Sequence, residues 1–361
     1  MSGNISRQDG VAEVMVVGVP AWHRLGTVLD KPATAEQAIQ AAHLDWSVTK
    51  QPVFIGERAW PGDCRRYGDL CAIVRDDLWR KKKVTVLGFA SEQYTPLQNR
   101  DAFSFFDTIV GQNAAVYHTA GALGEGERVW ILAKLPGCIR IAGDDITEKY
   151  LLLSNTHGGS GSVEIKFTPI RVVCQNTLTL AMSDGPALHI PHTTDLTERL
   201  TIAARVVNVV IRGYRGIEGV FREMAGSQLG RRELRWYLNQ VFPDPKRPDF
   251  SDDETYENAL AWARADRHGA EYLFYEGKGN REKGVAGTLW AAYNGVTEYV
   301  DHRRYLKATP EKCLEAIWFG GGSSFKERAY TVAAAAVAGR EEAVPPVCPE
   351  ALRQAGRNAA A

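Results

Sequence analysis

The sequence predicts an α+β fold: an antiparallel sheet with a β-β-α-β-β-β-α core, packed by a long amphipathic helix and followed by a helical C-terminal region. Short apolar segments separated by turn residues occur between 84 and 182, which is typical of antiparallel strands. Apolar residues recur at helical spacing at 99–110 and from 195 to 224. After 255 the spacing is mainly helical. Together these patterns indicate a sheet that precedes and packs against helices.

The composition is that of an ordinary globular protein. Of the 361 residues, 45% are apolar and 24% are charged, which excludes collagen-like, wholly disordered and disulfide-scaffold classes. The 43 basic and 43 acidic residues cancel, so the chain is not basic throughout. Six cysteines without CxxC spacing favour reduced thiols, and neither a secretory signal nor a membrane-spanning run is visible. We therefore expect a cytoplasmic protein with no membrane partner.

Changes in pattern along the chain predict five segments. The first mixes short apolar stretches with a helix-like stretch, 33–43, which opens at Thr34. A Pro- and Asp-rich stretch later in the chain is typical of a linker. The last residues combine three prolines with a terminal Ala run, which predicts a flexible tail. The segments are an α/β lead-in at 1–78, an α+β core at 79–240, a linker at 241–254, a helical region at 255–338 and a flexible tail at 339–361.

The first half of the core alternates strand and helix signals. Two short strands are predicted within 84–97, and helical spacing predicts a helix at 99–110 with Asn99 as its N-cap. Residues 114–120 and 128–135 alternate in polarity on either side of a Gly-rich turn. That arrangement predicts a β-hairpin.

A second Gly-rich turn, which contains His157, separates the predicted strands at 150–155 and 163–167. Its glycines would let backbone N–H groups approach an anion, but they serve a hairpin turn equally well. We rank the turn above the anion site.

A long helix is predicted from Asp195, which forms a possible capping box with Glu198. One face of this helix is apolar, and arginines occupy the opposite arc. The net charge is +5 over residues 199–235 and −4 over residues 244–271. The overall neutrality is therefore an average over two polarised regions.

Localised basic residues are candidates for contacts with nucleic acid. Cations follow the phosphates of a single strand, and aromatic side chains stack on its bases. The alternative readings are a solvated helix face and a Lys-rich turn that protects an edge strand. The candidate DNA-binding residues are Arg80, Lys81, Lys82, Lys83, Lys166, Arg171, Arg205, Arg212 and Arg215.

Evidence for catalysis is weaker. Cys174, His157 and Asn176 have the residue types of a thiol nucleophile, a base and an orienting group, but Cys174 lies in an apolar run that is typical of buried cysteine. The spacings of the other His and Cys residues match no usual zinc motif. We therefore expect a non-catalytic protein without cofactor or metal.

Several runs of the sequence resemble a phage- and plasmid-borne family of unknown function. They are KYLLLSNTHG at 149–158, FTPIRVVCQNTL at 167–178, AWHRLGT at 21–27, YTPLQN at 94–99 and YNGVTEYVDH at 293–302. The resemblance covers about residues 15–335 and implies a mobile genetic element, expressed in the cytoplasm of a bacterial host cell. It carries no established activity. The motif positions, of unknown role, are Trp22, His23, Asn155, His157, Cys174, Asn176 and Asn294.

The predicted order of elements from 84 to 225 is also similar to the core of phage single-strand annealing proteins of the Red-beta and Erf type. This similarity implies a homo-oligomer that binds or anneals single-stranded DNA in recombination or replication. The alternative is an interaction or host-takeover protein that acts through its charged surfaces, on an unknown host partner and without binding nucleic acid. An enzyme that depends on Cys174 or on a metal is a third possibility.

Overall fold

The computed structural model has an α+β fold, as predicted. The residues it describes are 5–8, 10–18, 26–31, 33–56, 64–76, 84–110, 116–143, 145–159, 161–171, 176–177, 188–193, 195–198, 200–201, 214–306, 308, 313, 316–317 and 320–339. The predicted tail at 339–361 lies outside this set from residue 340 onward.

The strands come before most of the helices in the chain. The strands are β1 (Arg7–Gln8), β2 (Val11–Ala12), β3 (Val14–Val17), β4 (Thr27–Leu29), β5 (Val48–Gly56), β6 (Cys64–Arg75), β7 (Thr85–Ser91), β8 (Val116–Leu123), β9 (Arg128–Arg140), β10 (Ile146–Thr156), β11 (Ser162–Phe167), β12 (Ile170–Arg171), β13 (Asn176–Thr177) and β14 (Leu188–Pro191). The α-helices are α1 (Ala35–Ala41), α2 (Asn99–Val110), α3 (Tyr214–Gly226), α4 (Arg231–Val241), α5 (Asp253–Glu276), α6 (Leu289–His302) and α7 (Gly321–Val337). A 3₁₀ turn, Arg247–Asp249, lies between α4 and α5.

Three sheets organise the strands. The largest has the order β13-β12-β10-β9-β8-β3-β4, with β11 pairing with both β10 and β14. A separate antiparallel sheet has the order β5-β6-β7, and β1 pairs with β2. The pair β3–β4 is parallel, whereas β3–β8 and β8–β9 are antiparallel. Residues Val129 to Ala133 of β9 are almost completely buried on both strand faces, so the core of the large sheet lies around this strand.

Two compact units make up the chain. Unit 1 contains residues 1–136, 150–166 and 187–211, and it includes the β5-β6-β7 sheet. Unit 2 contains residues 137–149, 167–186 and 212–361, and it includes helices α3 to α7. Each unit is discontinuous in sequence because sheet pairing joins distant segments. The domain limits drawn from the sequence stay a prediction.

The helices with strong local signals have the predicted positions. Helix α2 spans the predicted residues 99–110. Helix α1 begins after Thr34, whose hydroxyl accepts from Gln37 N while the Gln37 side chain accepts from Thr34 N, a reciprocal capping box. The predicted hairpin at 114–135 is also present as β8 and β9.

The prediction of two strands within 84–97 was wrong. Only β7 forms there, and its hairpin partner is β6, which lies in the predicted lead-in. Tyr94 and Leu97 lie in the loop after β7, where both are buried. Tyr94 packs on His192, with ring centroids 4.7 Å apart, and its hydroxyl donates to Thr156 O. Tyr94 and Leu97 therefore form part of the core as loop residues, and their apolar pattern resembles that of a strand.

The end of the chain required another correction. Within the predicted helical region, the composition of residues 320–324, Gly-Gly-Gly-Ser-Ser, favours a loop, but α7 begins at Gly321. A Cβ on Gly322 would lie 2.6 Å from Ala316 O, so close packing explains a glycine here. Of the predicted long helix, residues 202–213 lie outside the described part of the chain, and α3 covers its end. No described helix combines the length and the apolar character needed to cross a membrane.

Candidate functional site

Most of the candidate DNA-binding side chains lie outside the described residues. These are Arg80, Lys81, Lys82, Lys83, Arg205 and Arg212, and for Arg171 in β12 and Arg215 in α3 the backbone alone is described. Lys166 in β11 is partly buried, with its Nζ 3.6 Å from the Glu164 carboxylate. Whether these cations line one groove stays a prediction.

The motif positions fall in different parts of the fold. Asn155 and His157 are fully buried together in unit 1. Asn294 is buried in α6 of unit 2, where its Nδ2 donates to Trp290 O. Asn176 belongs to β13, and Trp22, His23 and Cys174 lie outside the described residues.

His157 is the centre of a buried polar cluster that we call the polar core, made of Glu13, Trp46, Arg75, Asn99, Asn155 and His157. The His157 Nε2 atom lies 3.2 Å from Asn99 Oδ1 and 3.3 Å from Asn155 Nδ2. Nε2 either donates to Asn99 or accepts from Asn155, so one tautomer cannot satisfy both contacts. Asn155 Nδ2 also donates to Leu97 O at 3.0 Å.

Asn99 connects this cluster to the chain before β5. Its Nδ2 donates to Leu44 O at 3.1 Å and to Trp46 O at 3.3 Å. The prediction of Asn99 as an N-cap was therefore wrong, since Asn99 is itself the first residue of α2 and its side chain binds other segments. Its partners lie 53 to 58 residues away in sequence, beyond the reach of a local pattern.

The polar core includes a buried ion pair between Arg75 and Glu13. The Arg75 guanidinium donates to both oxygens of the Glu13 carboxylate and also to Glu125 O. Its Cζ lies 4.1 Å from the centre of the Trp46 ring, and that ring meets His157 edge-on at 5.6 Å. Bidentate pairing and stacking are both typical of arginine in desolvated positions. The pair joins the last residue of β6 to the bend between β2 and β3.

Burial keeps His157 neutral. Desolvation, followed by the nearby His192 and Arg75, lowers its pKa from 6.5 to about 3. Its Nδ1 atom and Asn155 Oδ1 are buried without a hydrogen-bond partner among the described residues. Because the ring has no exposed surface, it cannot exchange protons with a solvent-borne substrate in this state. The geometry favours a role in holding the segments of unit 1 together.

The glycines after His157 allow two backbones to approach closely. Gly159 has φ +79°, and a Cβ there would lie 1.9 Å from Phe89 O in β7. A Cβ on Gly88 would lie 2.2 Å from Gly158 O. The backbone of β7 thus lies against the turn, which supports the structural reading of these glycines over an anion cradle.

A serine, a histidine and a carboxylate meet on the paired strands β11 and β14, but not as a proton relay. Ser162 Oγ lies 3.1 Å from His189 Nδ1, and Glu164 Oε1 lies 3.7 Å from the same nitrogen. A relay requires the nucleophile and the carboxylate on opposite ring nitrogens. In the described part of the chain, no group of three His, Cys, Asp or Glu side chains could hold a metal ion.

One face of the β5-β6-β7 sheet has exposed side chains on both outer strands, a feature that sequence analysis did not identify. Two cross-strand rows form this face, Gln51–Ala72–Phe89 and Thr49–Val74–Val86. In each row the middle residue is buried between its neighbours while the outer residues are exposed, and Phe89 is 55% exposed. We call this surface the open face. Its sequence signal was the presence of apolar residues at both odd and even positions of β7, which places apolar side chains on both faces.

A shallow groove of about 470 Å³ lies at one edge of the same sheet, lined by Lys50, Pro52, Arg66, Cys71 and Glu92. Lys50 Nζ donates to Glu92 O at 2.7 Å, and Arg66 forms an ion pair with the Glu92 carboxylate. Both cations of the groove are therefore already engaged.

Comparison with known proteins identifies the family and no activity. No curated protein and no solved structure matches the chain. A family described as a domain of unknown function (DUF932) matches residues 86–318, well over half of the chain. This match confirms the family of unknown function that the motifs indicated, while the association with phages and plasmids stays a prediction. The match includes α2, the strands of the large sheet from β8 onward, and helices α3 to α6, and it shows that the chain belongs to the DUF932 family.

Proposed function

We propose that this protein is a non-catalytic phage or plasmid protein that binds single-stranded DNA through the open face, in recombination or replication. The observation that carries the proposal is Phe89, an exposed aromatic side chain on the outer strand β7 of the open face. Sheets that present aromatic side chains to solvent are a common platform for stacking bases.

The rows of the open face leave room for a base. Ala72 separates Gln51 from Phe89 in one row, so the ring has only a methyl group beside it on the central strand. Neighbouring strands lie about 4.8 Å apart, which leaves the ring face accessible from the β6 side. The Gln51 amide at the far end of the row could bond to a base edge, because it both donates and accepts.

The charge needed for phosphates comes from the connection before β7. Arg80, Lys81, Lys82 and Lys83 lie immediately before this strand in sequence, and the exposed Val84 follows them. A basic segment that leads into an aromatic-bearing strand combines the two components of single-strand recognition.

The first test is fluorescence anisotropy with a labelled oligothymidine at low salt. We expect Phe89→Ala to weaken binding by about 5- to 100-fold, since stacking contributes about 1–3 kcal/mol per base. The matched control is Phe54→Ala, because Phe54 is 56% exposed in β5 of the same sheet but lies beyond the register shift that ends the open face. The control should change the affinity by less than about twofold.

The second test concerns the basic connection. Lys81→Glu with Lys83→Glu should weaken binding and lower the slope of log affinity against log salt by about 1.4, because each phosphate contact on a single strand contributes about 0.7. Absence of binding by the unaltered protein at micromolar concentration would contradict the proposal and favour the alternative of an interaction protein. Equal losses from Phe89→Ala and Phe54→Ala would contradict the assignment to the open face.

Annealing is tested separately with two complementary strands, one carrying a fluorophore and the other a quencher. We expect the protein to accelerate pairing and Phe89→Ala to remove most of that acceleration. Binding without acceleration would restrict the function to single-strand binding.

A further inference from the structure

Helix α4 of unit 2 has one exposed face whose composition is unusual for a solvated helix. Arg232, Arg235, Trp236 and Asn239 follow the spacing i, i+3, i+4, i+7 and lie within an arc of about 100°. All four are exposed, and Trp236 is 53% exposed. We call these residues the α4 stripe. Exposed tryptophan next to arginine is the composition of the energetic centre of protein interfaces.

The arginines of the α4 stripe carry positive charge that no acidic residue in the described part of the chain neutralises. Neither Arg232 nor Arg235 forms an ion pair with any residue of the described ranges. Glu233, the acidic residue nearest in sequence, lies outside the arc, about 100° from the Arg232 position. Two cations and a large aromatic ring therefore face solvent together.

Helix α5 of the same unit has a complementary face near its N-terminus. Glu254, Glu257, Asn258 and Ala261 have the same i, i+3, i+4, i+7 spacing, and all four are exposed. We call these residues the α5 stripe. Neither glutamate pairs with a cation in the part of the chain that the structure covers, whereas the neighbouring Asp253 is already paired with Arg247.

The two stripes match in charge and in spacing. In each stripe the two charged residues are three positions apart, a rise of about 4.5 Å, so two guanidinium groups can meet two carboxylates at once. When the helices are parallel and both charge pairs form, Trp236 lies opposite Asn258, one turn before Ala261. Both residues are smaller than tryptophan, so the ring has room between the two helices.

We propose that the α4 stripe of one copy docks on the α5 stripe of a second copy of this chain. The interface joins two different surfaces, so a pair of copies keeps one free α5 stripe on the first copy and one free α4 stripe on the second. The assembly therefore continues into a ring or a filament. A second copy is favoured over nucleic acid because the complementary acidic stripe is part of the same chain and would repel phosphates. This proposal does not depend on DNA binding by the open face.

The test reverses the charge of one stripe in each of two variants. One variant carries Arg232→Glu and Arg235→Glu, and the other carries Glu254→Arg and Glu257→Arg. Size is measured by sedimentation velocity without nucleic acid, at low and high salt. We expect the unaltered protein to assemble with rising concentration and to disperse with salt, and each variant alone to need about tenfold or more higher concentration for the same assembly.

The decisive measurement is an equimolar mixture of the two variants. Each variant then meets a partner of opposite charge at both ends, so the mixture should recover the assembly of the unaltered protein. Trp236→Ala should weaken assembly without affecting its salt dependence, and circular dichroism of all variants should match that of the unaltered protein because the altered side chains are exposed.

Three results would overturn the proposal. The unaltered protein could remain a single copy up to its solubility limit, or the variants could assemble as the unaltered protein does. The mixture could also stay as small as its components. If the unaltered protein remains a single copy, the affinity of the Arg232→Glu, Arg235→Glu variant for an oligonucleotide becomes informative. A lower affinity than that of the unaltered protein would indicate that the α4 stripe binds phosphates instead.

Discussion

The two units bury polar groups in different ways. In unit 1, a neutral His157 contacts the amides of Asn99 and Asn155, and some buried atoms have no partner among the described residues. In unit 2, the buried Asp266 carboxylate accepts from Arg304 Nε and Nη2, both at 3.0 Å. The arrangement in unit 1 depends on the neutral state of His157. The arrangement in unit 2 depends on the presence of both charges, those of Asp266 and Arg304.

A second buried pair supports this contrast. Lys326 Nζ on α7 lies 2.9 Å from Asp301 Oδ1 on α6, and both side chains are almost completely buried. A buried ion pair contributes little net stability, but removing one partner leaves an unpaired charge in a desolvated position. The polar core also contains a buried ion pair, Glu13–Arg75, but it should respond in addition to protonation of His157 and to backbone displacement. The two units should therefore fail under different perturbations.

The largest effect is expected from Asp266→Ala. It leaves the buried Arg304 without its carboxylate and removes the acceptor of the Tyr299 hydroxyl, 2.9 Å away. We expect the free energy of unfolding, measured in urea, to fall by about 3–5 kcal/mol. The control is Asp253→Ala, whose exposed carboxylate pairs with Arg247 and should contribute about 1 kcal/mol or less. Similar losses in both variants would contradict the importance of burial for the Asp266–Arg304 pair.

An intermediate effect is expected from Gly159→Ala in unit 1. The substitution combines a positive φ with a clash against Phe89 O, which is a backbone atom and cannot rotate away. The matched control is Gly10→Ala, since Gly10 has φ +83° with nothing within 4 Å of the added Cβ. The control isolates backbone strain of about 1–2 kcal/mol. Gly159→Ala should be less stable than the control by a further ~1–3 kcal/mol. Equal stabilities of the two variants would show that β7 can move away from the turn.

The smallest effect is expected for the pH dependence of the free energy of unfolding that His157 causes. Its pKa is 6.5 in its ordinary state and about 3 when folded. Between these values the unfolded chain binds a proton that the folded chain does not, so this contribution is complete above pH 6.5 and is lost as the pH falls. The slope is about 1.4 kcal/mol per pH unit.

Urea unfolding at a series of pH values between 7 and 5 measures this slope. We expect His157→Gln to flatten the profile by about 1.4 kcal/mol per pH unit, because no proton is then bound at this position. His268→Gln removes an exposed histidine on α5 and is the control for the general loss of a histidine. The same flattening in both variants would assign the slope to the general loss of a histidine.

Local patterns predicted only part of the candidate site. The basic run before β7 was identifiable from residue types alone, but the open face was not. Phe89 is exposed because its row partners are Ala72 and Gln51, and the pairing of β6 with β7 was not part of the predicted topology. His157 was recognised as unusual from its setting among glycines. Its burial against Trp46 and Asn99 depends on segments 58 to 111 residues earlier in the chain, of which Asn99 is the nearest.

The sequence by itself determined the α+β class, the helices with strong caps or apolar spacing, and the family. These properties depend on contacts within a few residues, as in the Thr34–Gln37 capping box and the 99–110 helix. Tertiary structure alone decided which polar residues are buried and which apolar residues are exposed. Asn99 became a buried connector and Phe89 an exposed ring because sheet pairing, which joins segments far apart in sequence, sets the surroundings of each side chain.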